Sequence, residues 1–282
     1  IQIDEQSDGI VDMNGKVIVV PNINILSNFY NGVAVAEIAG KYSLINKKGE
    51  IISKIPFFVV DNEYVSSRTR FADGLAALVT TKGLVFIDTT GKVVFVENDG
   101  LKTEGFDGGL ATIIYKGGFY GVVDKYGKRI ISPVSPKQMS ISSPSDGLVR
   151  IGKHFADVNS RPTWKYLDVT GKVVLEIAFD YAGDFKNGLA PVADRGKWGY
   201  VNREGKVIIP PSFDDVGTFS EDLAAVKLID KFGFINANGQ TIIAPRYNDV
   251  RSAFMCGVAY VVSEQLEGYV DTKGTWVWKQ GD

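Results

Sequence analysis

The sequence has little of the residues on which most catalytic and metal sites depend. Cysteine occurs once, at Cys256, and histidine once, at His154. One cysteine excludes an intrachain disulfide, and we expect Cys256 to be a buried core thiol because free cysteine behaves as a small apolar residue. One histidine leaves a single candidate for a general base or an imidazole ligand. We therefore expect no metal and no cofactor.

Charge and hydropathy exclude two classes of partner. The 31 Lys and Arg residues nearly balance the 33 Asp and Glu residues, giving a net charge of −2, and no basic run stands out. We therefore expect no nucleic-acid partner and no attraction to an anionic membrane. No stretch reaches the roughly 18 apolar residues of a membrane span. Because the chain starts at Ile1, we expect a mature or trimmed form in which a signal peptide would not be visible. The compartment is left open, with the cell envelope or secretion favoured over the cytoplasm.

One short motif, Asn/Asp-x-x-Gly, recurs eight times and organises the whole sequence. The spacings between its glycines are 34, 42, 36, 44, 34, 34 and 35 residues. The Asn or Asp side chain can accept a backbone hydrogen bond two residues on, and Gly supplies the left-handed conformation of a hairpin turn. This self-similarity predicts a single repeat domain over residues 1–282, built from eight modules. The pairs are Asp12/Gly15, Asn46/Gly49, Asp88/Gly91, Asp124/Gly127, Asp168/Gly171, Asn202/Gly205, Asn236/Gly239 and Asp271/Gly274.

Each module contains three or four short segments typical of strands, because they are rich in β-branched and aromatic residues and lack a helical period. The third segment carries Val207, Ile208 and Ile209 in succession, so we expect it to be buried on both faces. In the copy Phe185–Gly217 the segments are Leu189–Ala193, Trp198–Val201, Val207–Ile209 and a weak fourth, Phe213–Phe219.

A second motif, Phe-x-x-Gly-Leu/Val-Ala, precedes the first of these segments. We expect its Phe to fill the space between adjacent modules and its Ala to allow close approach. One copy has Asp222 in place of Gly, and another has Pro144 in place of Phe. The regular copies are Phe29–Ala34, Phe71–Ala76, Phe106–Ala111, Phe185–Ala190 and Phe254–Ala259.

Together these patterns predict an all-β tandem array of eight short antiparallel modules with three or four strands each. An open, superhelical, solenoid-like array and a closed, propeller-like ring both fit a module of 34 residues. The irregular first and last modules favour the open form, since an open array tolerates degenerate ends.

Two insertions interrupt the repeat, around residues 53–70 and 153–163. Insertions in repeat proteins form loops, often on a binding face, and aromatic and Arg side chains are enriched at binding hot spots. We therefore predict binding residues there. Trp164 joins them because an exposed aromatic at the repeated Trp position could contact a partner, although that position is expected to be core in most modules. The candidates are Phe57, Phe58, Tyr64, Arg68, Arg70, His154, Arg161 and Trp164.

Three segments resemble the WG-repeat, or KWG-repeat, family: Gly196–Pro210, with Trp198-Gly199-Tyr200, then Lys231–Asn236 and Phe119–Asp124. The resemblance extends over all eight copies. It implies an all-β repeat protein, mostly bacterial, with no defined activity, cofactor or substrate. The hairpin is also similar to the shorter choline-binding and cell-wall-binding repeats of surface proteins.

The repeated Trp position varies between copies, which indicates a loose, mostly steric requirement. The Gly that follows it is replaced by Ser43, Val85 and Lys165 in three copies. The Trp position itself holds Asp8, Tyr42, Leu84, Tyr120, Trp164, Trp198, Phe232 and Glu267.

We expect a non-enzymatic binding or scaffold protein that engages a protein partner through its repeat surface or inserted loops. A carbohydrate-binding or cell-wall-binding module is the alternative, and a glycosidase-like enzyme with paired acids is the third possibility. Most recurring carboxylates lie at turns, and we expect Asp180 and Asp214 to cap turns. We therefore assign no catalytic residue.

Overall fold

The computed structural model describes residues 2–4, 7–11, 17–19, 23–58, 69–152, 161–264 and 266–280. The chain divides into two compact units: unit 1 comprises residues 1–147 and 169–171, and unit 2 comprises residues 148–168 and 172–282. Regular structure in the described residues is all β apart from a 3₁₀ turn at Lys116–Gly118. The strands form separate antiparallel sheets, seven of them four-stranded, and none closes into a barrel. This confirms the predicted all-β tandem array of small modules.

Unit 1 contains the first sixteen strands, which follow one another as antiparallel hairpins. Its first four sheets take their strands in chain order. The strands are β1 Gln2–Asp4, β2 Ser7–Val11 and β3 Val17–Val19; β4 Asn24–Ile25, β5 Val33–Ile38, β6 Lys41–Asn46 and β7 Ile51–Phe58; β8 Phe71–Ala72, β9 Leu75–Thr80, β10 Gly83–Asp88 and β11 Val93–Glu97; β12 Gly100–Thr103, β13 Leu110–Tyr115, β14 Tyr120–Asp124 and β15 Arg129–Val134; and β16 Ser140–Ile141.

Unit 2 repeats the same hairpin order. Its last three sheets have four strands each, and each opens with a two-residue strand. The strands are β17 Val149–Gly152, β18 Thr163–Leu167 and β19 Val173–Ala178; β20 Tyr181–Ala182, β21 Leu189–Asp194, β22 Lys197–Asn202 and β23 Val207–Phe213; β24 Asp215–Val216, β25 Leu223–Leu228, β26 Lys231–Asn236 and β27 Thr241–Tyr247; and β28 Asp249–Val250, β29 Val258–Val262, β30 Glu267–Asp271 and β31 Trp276–Lys279.

The Asn/Asp-x-x-Gly motif forms the turn before the last strand of a sheet. After β6, Asn46 Oδ1 accepts hydrogen bonds from the backbone N–H groups of Lys48, at 2.9 Å, and Glu50, at 3.1 Å. Gly49 is left-handed, and the seven described glycines of this motif have φ between 77° and 86°. The predicted turn mechanism is therefore confirmed for these copies, while the pair Asp12/Gly15 lies outside the described residues.

The Phe-x-x-Gly motif packs one sheet on the next. Asn187 (φ 51°) and Gly188 (φ 77°) are the two central residues of a type I′ hairpin turn between β20 and β21. Phe185, just before this turn, is buried against Tyr166 and Ile177 of the preceding sheet. Phe71, Phe106, Phe219 and Phe254 are buried in the same way, and Phe29 is half-buried. This confirms that the Phe fills the space between modules.

The last strand of each sheet differs from the prediction of burial on both faces. Val207 is 40% exposed, whereas Ile209 is 4% exposed. The register of β23 shifts here, so that Val207 lies opposite Val201 and Ile209 opposite Tyr200, and the two side chains are on opposite faces of the strand. The weak fourth segment is also divided differently: Phe213 ends β23, while Asp215–Val216 opens the next sheet.

The prediction that Cys256 is a buried core thiol is wrong. The residue is exposed and has a φ of 54°. It lies with Gly257 at the centre of the two-residue turn between Met255 and Val258. Such turn positions face solvent, and the left-handed backbone there is more often supplied by Asn or Asp.

Candidate functional site

The structure places the predicted binding residues in different surroundings. In unit 1, Phe57 is half-buried against the core cluster that contains Tyr42, and Arg70 donates to the carbonyl oxygen of Glu104 from Nε (3.1 Å) and Nη2 (2.6 Å). Their roles in binding stay predictions. Tyr64, Arg68, His154 and the side chain of Phe58 lie outside the described residues.

Arg161 and Trp164, predicted from sequence, both contact Phe179 in unit 2. The guanidinium of Arg161 lies 5.3 Å from the centre of the Phe179 ring. The indole Nε1 of Trp164 donates to the Phe179 carbonyl oxygen at 3.1 Å. Phe179 follows β19 directly, so the end of this edge strand positions both side chains.

These residues belong to a larger group, which we call the Tyr181 cluster. The Tyr181 ring stands edge-on between two tryptophans, 5.4 Å from Trp164 and 5.3 Å from Trp198. The Arg150 guanidinium lies 5.0 Å from the Trp164 ring and 5.6 Å from the Tyr181 ring, within cation–π range. Tyr181 is 41% exposed, so the cluster reaches the surface. It consists of Arg150, Arg161, Trp164, Phe179, Tyr181 and Trp198.

Each cation around the cluster has an acidic partner. Arg150 Nε lies 2.9 Å from Asp184 Oδ1, and Arg161 Nη2 lies 2.7 Å from Asp194 Oδ1. The Arg161 side chain is 44% exposed, so part of its guanidinium is accessible to a ligand. The cluster is therefore an aromatic surface with a charge-balanced polar rim.

Asp180 and Asp214 support the hairpin that follows, as predicted. Asp180 Oδ2 accepts from the backbone N–H of Arg195 at 2.6 Å, and Asp214 Oδ2 accepts from that of Ile229 at 3.0 Å. A hydrogen bond from Lys197, together with the Ile229 bond, lowers the pKa of Asp214 below its ordinary value. Hydrogen bonding to the charged form explains this direction.

Two residues of the cluster differ from their counterparts in other sheets. Tyr181 pairs with Ala193, a register position that holds Asn24, Asp215 and Asp249 in three other sheets. Arg150 pairs with Tyr166, a position that holds Pro191, Ala225 and Tyr260 in the other sheets of unit 2. Sequence reasoning missed both residues. Aligning the modules by strand register would have found them.

A cleft of about 440 Å³ in unit 1 is lined by turn residues, including Asp73, Asp124 and Tyr126. Its two carboxylates already hold backbone groups: Asp73 Oδ2 accepts from Gly109 N–H, and Asp124 Oδ1 accepts from Tyr126 and Lys128 N–H. These bonds explain the carboxylates as parts of the fold. In the part of the chain that the structure describes, no three His, Cys, Asp or Glu residues are grouped to hold a metal ion.

Comparison with known proteins supports the repeat. Four segments, residues 9–42, 166–198, 198–231 and 232–264, match the WG containing repeat. No curated protein matches the sequence.

Solved structures align with this chain at low sequence identity. A crystal structure of the eukaryotic initiation factor aligns at 12% identity with a TM-score of 0.59, over 98% of this chain and 83% of that chain. BamB from Moraxella catarrhalis aligns at 13% identity with a TM-score of 0.41, over 93% and 88% of the two chains. The chain is thus an all-β repeat protein in which four segments match the WG containing repeat.

Proposed function

We propose that this protein is a non-enzymatic binding or scaffold protein that presents the Tyr181 cluster to a protein partner. The observation that carries the proposal is that two residues unlike their counterparts in other sheets lie in contact. Tyr181 replaces the Asn or Asp of three other sheets, Arg150 places a cation where Pro191, Ala225 and Tyr260 are uncharged, and the two side chains lie within 5.6 Å of each other. Residues that only maintain the repeat would follow its pattern.

The chemistry of the cluster suits a protein surface. Tyr, Trp and Arg are the residues most enriched at hot spots of protein interfaces, because they bury a large area and also form hydrogen bonds. Packing against Trp164, Trp198 and Arg150 holds Tyr181 in place, so little conformational entropy is lost on binding. The paired charges of the rim favour a partner of mixed polarity over a polyanion.

The finer family assignment is also a proposal. We propose that all eight Asn/Asp-x-x-Gly segments are copies of one WG, or KWG, repeat. The sheets β4–β7 and β8–β11 support it, because they have the strand order and turns of β20–β23, which lies in a matched region.

A carbohydrate or cell-wall glycan is the second candidate ligand. The exposed Tyr181 ring lies near the carboxylates of Asp180 and Asp194, which Arg161 approaches at 3.9 Å and 2.7 Å. An aromatic ring beside hydrogen-bonding carboxylates and a guanidinium can stack on a sugar and bind its hydroxyl groups.

The test compares capture by wild type, Tyr181→Asp and Tyr126→Asp. Tyr181→Asp introduces the residue type found in three other sheets, and Tyr126, 73% exposed in unit 1, is the matched control. Each immobilised chain is incubated with extract from the source cells, and the bound proteins are quantified by mass spectrometry. We expect at least one protein to be retained by wild type and Tyr126→Asp and reduced at least about tenfold by Tyr181→Asp.

A glycan array with the same three proteins separates the candidates. Glycan binding that Tyr181→Asp abolishes, without a captured protein, would replace the protein partner by the second candidate. Retention of every ligand by Tyr181→Asp would contradict both.

A further inference from the structure

A pocket of about 340 Å³ lies in unit 2, lined by residues of the sheet β24–β27 and of the sheet β28–β31. Arg246 and Tyr247 end β27, and Trp276 begins β31. Its volume is at the lower end of the range for small-molecule sites. We call it the Arg246 pocket, and its lining residues are Arg246, Tyr247, Ser263, Gly274, Thr275 and Trp276.

The guanidinium of Arg246 is held in a fixed orientation. Its Nη2 donates to Tyr247 Oη at 2.9 Å and to the carbonyl oxygen of Gly274. The guanidinium also lies 5.1 Å from the centre of the Tyr247 ring, within cation–π range. Tyr247 is itself buried, so it gives the cation a rigid support. A ligand that binds here therefore orders little of the side chain.

Arg246 differs from three other arginines of unit 2 that also lie over aromatic rings. Arg150, Arg161 and Arg251 each have a carboxylate oxygen at 2.7 to 2.9 Å. None of the Asp and Glu residues that the structure describes forms an ion pair with Arg246, and both of its hydrogen bonds come from Nη2. The N–H groups of Nε and Nη1 are thus available to an anion from outside the chain.

The packing of the repeat does not require an arginine at this position. Strand register aligns Arg246 with Ser212 of β23. In both modules the Gly of the following turn packs on an isoleucine, which is Ile209 in one case and Ile243 in the other. The turn is therefore supported without the Arg246 side chain, and the guanidinium is an addition to the common packing.

We propose that the Arg246 pocket binds a carboxylate group carried on a small apolar body. One guanidinium without an acidic partner suits a single negative charge, and its N–H groups form charge-assisted hydrogen bonds to carboxylate oxygens. The half-buried indole of Trp276 supplies an apolar wall for the rest of the ligand. The carboxylate comes from a free organic acid or from the C-terminus of a peptide. The pocket shares no residue with the Tyr181 cluster.

The test titrates the full chain with phenylacetate and with phenylacetamide, its uncharged analogue. The indole N–H signal of Trp276, assigned by its loss in Trp276→Phe, is followed by NMR. We expect phenylacetate to bind with a Kd of about 1 mM or below, and phenylacetamide to bind at least about tenfold more weakly, because it lacks the charge that Arg246 recognises.

A second pair of probes separates the two sources of the carboxylate. These probes are acetylated glycyl-phenylalanine with a free C-terminus and the same dipeptide with a C-terminal amide. Tighter binding of the free dipeptide than of phenylacetate would assign the pocket to a peptide C-terminus. Tighter binding of phenylacetate would assign it to a free organic acid. In either case the amide should bind at least about tenfold more weakly than the free dipeptide.

Arg246→Gln should weaken phenylacetate binding at least about tenfold, because the charged donor is lost. Arg203→Gln is the matched control, since Arg203 also lies over an aromatic ring, 5.9 Å from the centre of Phe185, but outside the pocket. Circular dichroism checks that each variant is folded.

Three results would overturn the proposal, whatever the result for Tyr181→Asp. They are no saturable binding of any carboxylate probe by wild type, equal affinity for phenylacetate and phenylacetamide, and undiminished binding by folded Arg246→Gln. The comparison of phenylacetate with phenylacetamide decides the matter on wild type alone if Arg246→Gln does not fold.

Discussion

The glycine of the Trp-Gly pair shows how one residue can be strictly required in some modules and dispensable in others. A Cβ at Gly199 would lie 2.3 Å from the carbonyl oxygen of Ile209. There β23 bulges, and the register shifts between Trp198 and Tyr200. In the preceding module Lys165 pairs with Glu176 in regular register, so a side chain fits. A side chain is thus accommodated where the partner strand is regular, as at Val85 and Lys165.

We predict that Gly199→Ala lowers the free energy of unfolding by about 1–3 kcal/mol, because the bulged strand must move to admit the methyl group. Lys165→Ala, at the matching position of a regular pair, should change it by less than about 1 kcal/mol. Urea unfolding monitored by circular dichroism gives both values. Equal effects of the two substitutions would contradict this explanation.

A second residue-scale prediction concerns alkaline pH. Burial raises the pKa of Tyr42 to about 12, although its hydrogen bond to the Val79 carbonyl oxygen opposes part of that rise. The phenol ionises near pH 10 in the unfolded chain. Tyr42 therefore contributes fully to stability below about pH 10, and the contribution is lost as pH rises from about 10 to about 12. Burial also raises the pKa of Tyr115, Tyr166 and Tyr200.

We expect the free energy of unfolding of the wild type to fall over this pH range, and Tyr42→Phe to reduce the slope. At pH 7 the variant should lose about 1–2 kcal/mol, because the Val79 carbonyl oxygen loses its donor. Urea titrations at pH 8 and pH 11 measure both effects. An unchanged slope in Tyr42→Phe would contradict the assignment.

At the scale of the element, turns and strands were predictable and burial was less so. Asn46 and Gly49 each have a local conformational reason to form their turn, which sequence displays directly. Which face of a strand is covered depends on the neighbouring sheet. Val207 is exposed and Ile209 is buried although their segment is apolar throughout, because a register shift puts them on opposite faces of the strand. Cys256 was predicted to be buried because free cysteine is usually apolar, but it lies in a hairpin turn and is exposed.

A buried carboxylate links the sheet β8–β11 to the sheet β12–β15. Glu97, in β11, accepts from Tyr115 Oη and from Arg129 Nη2, both at 2.9 Å. We predict that Glu97→Ala costs about 2–4 kcal/mol, less than loss of a fully buried pair because the Arg129 side chain is 49% exposed. Glu176→Ala, which removes the exposed pair with Lys165, should cost less than about 1 kcal/mol. Thermal and urea unfolding of both variants provide the comparison, and similar costs would contradict it.

At the scale of the whole molecule, recurring residues account for the array and exceptions to the recurrence define the candidate site. The repeat was readable because its turns and Phe residues recur within one chain. Arg161 was identified because it lies in an insertion, and Trp164 because it is an aromatic residue at the repeated Trp position. Arg150 and Tyr181 were missed because a departure from the repeat is visible only once the strands are paired in register.

The distinction between recurring structural residues and exceptional binding residues is tested most directly by comparing the free energies of unfolding of Tyr181→Ala and Tyr200→Ala. Tyr200 is fully buried at a recurring position, and Tyr181 is 41% exposed at an exceptional one. We predict a loss of about 3–5 kcal/mol for Tyr200→Ala, as for other buried aromatic residues, and about 1–2 kcal/mol for Tyr181→Ala, whose ring loses only edge contacts. A loss for Tyr181→Ala equal to that for Tyr200→Ala would contradict the claim that Tyr181 is free to serve binding.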